Sequence, residues 1–151
     1  MHLSIRKGRI QIFSKMREEL KGPVVENVKM VVVPETNEEG GTQHYVYLLN
    51  LRDDIMEGII ITSRGYGIDA ETGEKITTST LRHSLEVLLP NEAAKIEPIM
   101  EEVFGLTNEY WVSFWAEDVM YDKKYIFLPE TINEKNMTEI PKLGGKGIMV
   151  G

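Results

Sequence analysis

Cysteine is absent from the 151 residues, which excludes disulfides, thiolate nucleophiles and cysteine-ligated zinc or iron–sulfur centres, and fits a reducing compartment. Also missing is any stretch of the roughly 20 apolar residues that a membrane-spanning helix requires. The N-terminal stretch MHLSIRKGRIQIFSKMREEL interrupts its apolar positions with basic residues every few places, so it does not read as a secretory leader. These absences together predict a soluble, cytoplasmic protein with no membrane association.

Signatures of chemistry are equally scarce. His2, His44 and His83 share no metal-ligand spacing with one another or with carboxylates, and no metal site is expected. Asp69, Glu71 and Gly73 lack the ligand order and closing glutamate of a calcium loop. No serine lies in a G-x-S-x-G elbow, so a hydrolase triad has no anchor. The acidic pairs Glu18-Glu19, Glu38-Glu39, Asp53-Asp54, Glu101-Glu102 and Glu117-Asp118 fall in polar turns or on a helix face. General acid–base work needs a shielded carboxyl instead. The expectation is a domain with no catalytic residue and no cofactor.

What the chain does have is charge asymmetry and one aromatic-rich stretch. The net charge is −7. Residues 1–22 hold six basic and two acidic side chains, a net +4, which leaves −11 for the rest. An acidic body repels phosphate backbones, so nucleic acid is not the expected partner. The basic segment reads instead as a solvated helix face or a self-association handle. Residues 9–21 carry the clearest helical spacing, Ile10, Phe13, Met16 and Leu20, and Gly22-Pro23 ends it.

Thereafter the period drops to two. Val25–Pro34, Gln43–Arg52, Met56–Arg64, Ile76–Leu89 and Ala94–Glu97 read as strands, with a short helix over Thr80–Leu89 as the alternative there and one helical turn expected from Pro98. Glu109–Leu128 holds both tryptophans, three of six tyrosines and two of four phenylalanines. It reads as a hairpin, Tyr110–Ala116 and Val119–Leu128, turned by Glu117-Asp118. Seven or so strands and one helix predict a mainly β single domain, a β-sandwich of immunoglobulin-like outline, with α+β as the alternative. The organisation expected is a basic helical segment over 1–22, a β-domain over 23–141 and a glycine-rich tail over 142–151.

Two sets of residues stand out as candidate sites. Thr62–Asp69 is the most site-like loop: glycines flanking a tyrosine expose backbone N–H groups, and Ser63, Arg64, Tyr66, Arg82 and His83 would form a small-molecule or anion pocket if they converge. Along the hairpin, Tyr110, Val112 and Phe114 alternate with Trp111, Ser113 and Trp115, so both faces carry aromatics. One face must meet the core. The other makes Trp111, Trp115 and Tyr121 candidate interface residues, joined by Ile148, Met149 and Val150 as a strand added to this subunit's sheet or a neighbour's. The leading expectation is therefore a homo-oligomer or protein-binding domain.

With VYLLNLRDDIMEGIIITSRGYG (Val46–Gly67), TSTLRH (Thr78–His83), AKIEPI (Ala94–Ile99), LTNEYWVSFW (Leu106–Trp115) and YDKKYIFLPETI (Tyr121–Ile132), residues 24–150 resemble a family of small bacterial proteins. Some of its members are labelled phenylalanyl-tRNA synthetase alpha subunit. The resemblance would imply a tRNA- or aminoacylation-associated role, and it brings no assigned functional residue with it.

Overall fold

The computed structural model describes residues 22–151. The helix expected over 9–21 lies outside them. Ten strands make two antiparallel five-stranded sheets, the β-sandwich expected from the period-two patterning. The first sheet holds β1 (Val28–Thr36), β2 (Thr42–Asn50), β6 (Ala93–Ile99), β9 (Thr138–Ile140) and β10 (Gly145–Val150), in the order β6-β2-β1-β10-β9. The second holds β3 (Met56–Ile68), β4 (Lys75–Thr77), β5 (Leu81–Leu88), β7 (Thr107–Ala116) and β8 (Val119–Phe127). In it β3 has β7 on one side, with β8 beyond, and β4 and β5 end to end on the other. Among the described residues the only helical pieces are three short 3₁₀ turns.

Alternation decides what the sandwich buries. Val28, Met30 and Val32 on β1 and Val46 and Leu48 on β2 face Ile59 and Ile61 on β3 and Tyr110, Val112 and Phe114 on β7. A smaller cluster, Val31, Val33, Leu49 and Ile140, lies on the opposite face of the first sheet. There the segment carrying β9 covers the valines that β1 turns outward, so β1 reads as a nearly continuous apolar run.

Two departures from regular pairing matter. On β3 the register against β7 shifts between Glu57 and Ile60, and Gly58 takes a φ of 53°. The extra residue resets the phase so that both Met56 and Ile59 face inward, three positions apart. On β6, Val46 pairs with Glu97 and Tyr47 with Lys95, which leaves Ile96 as the extra residue. Pro98 sits within β6 opposite Tyr45 rather than at the start of a helical turn. An edge strand tolerates its missing N–H, and the 3₁₀ turn forms later, at Glu101–Val103.

The aromatic hairpin has the expected two-residue turn: Glu117 and Asp118 take φ of 48° and 65°, the sign needed to follow the strands' twist. Ile76–Leu89, expected as one strand, is interrupted: at Thr78 the chain leaves the β4 ladder, its N–H donating to the Gly65 carbonyl while its hydroxyl accepts from the Gly65 N–H, before β5 begins. The glycine-rich tail is β10, an interior strand held between β1 and β9 in this chain's own sheet. A Cβ at Gly147 would meet the Val32 carbonyl oxygen at 2.6 Å, so only glycine allows that approach.

Arg52 ties the β2–β3 connection to the hairpin. Its guanidinium donates to both carboxylate oxygens of Asp54 (2.7 and 3.0 Å) and lies 4.7 Å above the Tyr121 ring, which stacks on Phe114. The Arg52 hydrogen bonds hold the Asp54 carboxyl below its usual range, against the opposing effect of burial. A carboxyl with a lowered folded pKa stabilises the fold above its unfolded pKa, and the gain disappears as pH falls through the folded value. Asp54→Asn should cost about 1 kcal/mol at pH 7, a cost that shrinks as pH falls through the folded value, read by urea unfolding across an acid pH series. A pH-independent cost would contradict the pairing. Truncation after Lys142 removes an interior strand; we expect the product to lose its cooperative unfolding transition and near-ultraviolet circular dichroism, whereas a cooperative, native-like product would show β10 to be dispensable.

Candidate functional sites: a buried carboxylate and an aromatic sheet face

Glu97 is a glutamate in the interior, with 9% of its surface exposed. A buried carboxylate must be matched by donors, and three strands of the opposite sheet supply them. The Ser63 hydroxyl on β3 lies 3.0 and 3.1 Å from its two oxygens. The Tyr110 phenol on β7 donates to Oε2 at 2.9 Å, and His83 Nε2 on β5 lies 2.7 Å from Oε1. The β6 bulge at Ile96 is what turns Glu97 inward opposite Val46.

This is a hub and not a catalytic relay. Ser63 and His83 each bond the carboxylate, so the histidine is not placed to take the serine's proton. Burial, followed by the charge of Glu97 and its hydrogen bond, pushes the Tyr110 phenol far above its usual range, so it stays protonated as a donor. Among the described residues no group of three or more His, Asp or Glu side chains is arranged to hold a metal. Tyr125 forms a second tie between the sheets, its hydroxyl donating to the Val28 carbonyl at 2.7 Å.

The five residues expected around Thr62–Asp69 do not converge. Alternation along β3 sends Ser63 inward, together with His83, which pairs across from Ile61. Arg64, Tyr66 and Arg82 stand on the other face: Arg64 reaches Glu109 (3.2 Å) and lies 5.2 Å over the Tyr66 ring, and Arg82 is exposed beside Thr62. The carboxylate that joins Ser63 to His83 sits in a segment that reads from sequence as an ordinary short strand. The one hint is a lone glutamate between Ile96 and Ile99.

The outward face of the second sheet carries the other candidate. Trp111 and Trp115 are 44% and 46% exposed, and Met120 and Ile126 on β8 stand beside them on the same face. Tyr121 turns inward onto Phe114, and Ile148 is buried in the core. Met149 faces outward from the first sheet and Val150 packs partly against the core. The six residues expected at an interface thus separate into an exposed tryptophan pair on one sheet, Met149 on the other, and three that serve the core.

Glu97→Ala leaves three donors without an acceptor and should cost about 3–5 kcal/mol, and Tyr110→Phe about 1–3 kcal/mol. A double variant should cost clearly less than the sum, because one network is lost once. Additive costs in chemical denaturation would contradict the shared network. No protein-family profile matches the chain, and no curated protein matches it in sequence.

Proposed function

We propose that this chain is a non-catalytic β-domain that works by protein–protein contact, and that its partner is a second copy of itself, bound through the outward face of the second sheet. The observation that carries this reading is the pair Trp111 and Trp115, each nearly half exposed at neighbouring outward positions of β7. Tryptophans are the side chains whose burial contributes most at interface centres.

Charge argues for a copy of the same chain as the occupant. One end of the face is acidic: Glu57 pairs with Trp115, Asp122 with Ser113, and the turn Glu117-Asp118 follows. The other end is net basic, with Arg82 beside Thr62, Lys124 beside Trp111, and Arg64 sharing Glu109 with Lys124. A two-fold axis lying in the plane between the two faces, perpendicular to the line from the acidic to the basic end, sets the acidic end of one copy over the basic end of the other, with the tryptophans interleaved between. The saturated Glu97 network favours a structural role for the interior.

Sedimentation velocity tests this on the full chain and on Trp111→Ser/Trp115→Ser. The full chain should sediment as a dimer at tens of micromolar and the double variant as a folded monomer. Glu57→Arg and Arg82→Glu should each weaken the dimer and together restore it. A monomeric full chain, or a double variant that still dimerises, would overturn the reading.

A further inference from the structure

The β2–β3 connection (residues 51–55), the β5–β6 connection (residues 89–92) and the Glu117-Asp118 turn meet at one end of the sandwich. Between them lies a groove of about 540 Å³, lined by Ile55, Pro90 and five acids, among them Asp53, Glu57 and the Glu117-Asp118 pair. Among the described residues one cation pairs with the five: Arg52, on Asp54. Ile55, Leu89 and Val119 stand exposed at the same end.

This is also the end at which residues 1–21 join the domain. Gly22 lies against the start of β8: a Cβ there would come within 3.9 Å of the Met120 carbonyl oxygen, two residues beyond Asp118. Pro23 and Val24 share a second hollow with Asp53, which lines the acidic groove as well. No long connection therefore separates the basic segment from the carboxylates.

The segment matches that surface in charge and in pattern. It carries six basic and two acidic side chains. At about 100° per residue, helical spacing over residues 9–21 puts Arg9 and Arg17 on the same side as Ile10, Phe13, Met16 and Leu20. Glu18 and Glu19 fall on the other side. A stripe that mixes arginines with large apolar side chains fits a surface offering both carboxylates and exposed aliphatic groups. Such a helix is about 20 Å long, twice the distance of about 10 Å between packed sheets, so it reaches across the end of the sandwich.

We propose that residues 9–21 form a helix that docks on this acidic end of their own chain, with Arg9 and Arg17 among the groove carboxylates and the apolar stripe over Ile55, Leu89 and Val119. The apolar hollow on the first sheet, lined by Leu49, Leu51, Ile140 and Met149, fits less well, because its rim offers one acid, Glu139, against one base, Lys142. The contact caps the end of the sandwich, not its tryptophan face, and does not rest on self-association. Glu57 and the Glu117-Asp118 turn border both surfaces; Asp53 lines this one alone.

Because the chain has no cysteine, Ser14→Cys gives a single site for a nitroxide label, on the side of the helix away from the apolar stripe. The test reads paramagnetic broadening of backbone amides in the full chain. Residues 53–57, Leu89 and Asn91 should broaden when label and isotope are in the same molecule. They should stay sharp in an equal mixture of isotope-labelled untagged chain and tagged unlabelled chain. Arg9→Glu/Arg17→Glu, and separately Asp53→Lys, should remove most of that broadening and leave what the tether alone causes near Met120. The Trp111→Ser/Trp115→Ser chain should keep the pattern. Sharp amides at these positions, equal broadening of them in the mixture, or broadening centred on the first sheet would overturn the proposal. So would a pattern unchanged by the charge reversals, or one lost with the tryptophans, which would put the segment on the face that self-association needs.

Discussion

A carboxylate placed inside a β-sandwich is the constraint on which the rest of this structure depends. Glu97 belongs to the edge strand β6 of one sheet, yet every donor it bonds belongs to the other. Losing water around a charge costs several kcal/mol unless donors replace it. The two sheets must therefore approach along that edge, with serine, tyrosine and histidine at inward positions of three neighbouring strands. The bulge at Ile96 follows from the same demand, because without it the alternation of β6 would carry position 97 outward. On the far side, the Tyr125 hydroxyl on the Val28 carbonyl closes the sandwich by a neutral bond.

The strand β7 then divides the protein's physical roles between its two faces. Inward it contributes Asn108, Tyr110, Val112 and Phe114: the core, a donor to the buried acid, and an amide bonded to the carbonyls of Val103 and Leu106. Outward it carries Trp111 and Trp115 among charges of both signs. A period of two residues is enough to set an exposed tryptophan pair among charges on one face against the apolar core on the other within one ten-residue strand.

How far this was legible in the sequence depended on the range of the interactions. Local ones were readable: the hairpin and its Glu117-Asp118 turn, the strand character of β1, β2 and β3, and the sorting of Tyr110, Val112 and Phe114 from Trp111 and Trp115. Pairings between distant segments were not. Ser63, Arg64 and Tyr66 are neighbours in the chain, but a strand sends them to opposite faces, so a pocket assembled from chain proximity came apart. Glu97 looked like one more surface glutamate because a bulge is invisible to a period-two reading. Ile140, alone in a polar stretch, and the glycine-rich end acquire meaning only once β9 and β10 lie beside β1. There glycine marks the close approach of two backbones rather than a flexible tether.

If the inward face of the second sheet serves the fold and the outward face serves association, then association must shield both tryptophans from solvent. Iodide quenching of tryptophan fluorescence, followed over a range of protein concentrations, tests it directly, since Trp111 and Trp115 are the only tryptophans. Efficient quenching in dilute solution that falls as concentration rises and the face is covered is the expected result. Quenching that stays high and constant, in a chain that remains folded, would contradict it.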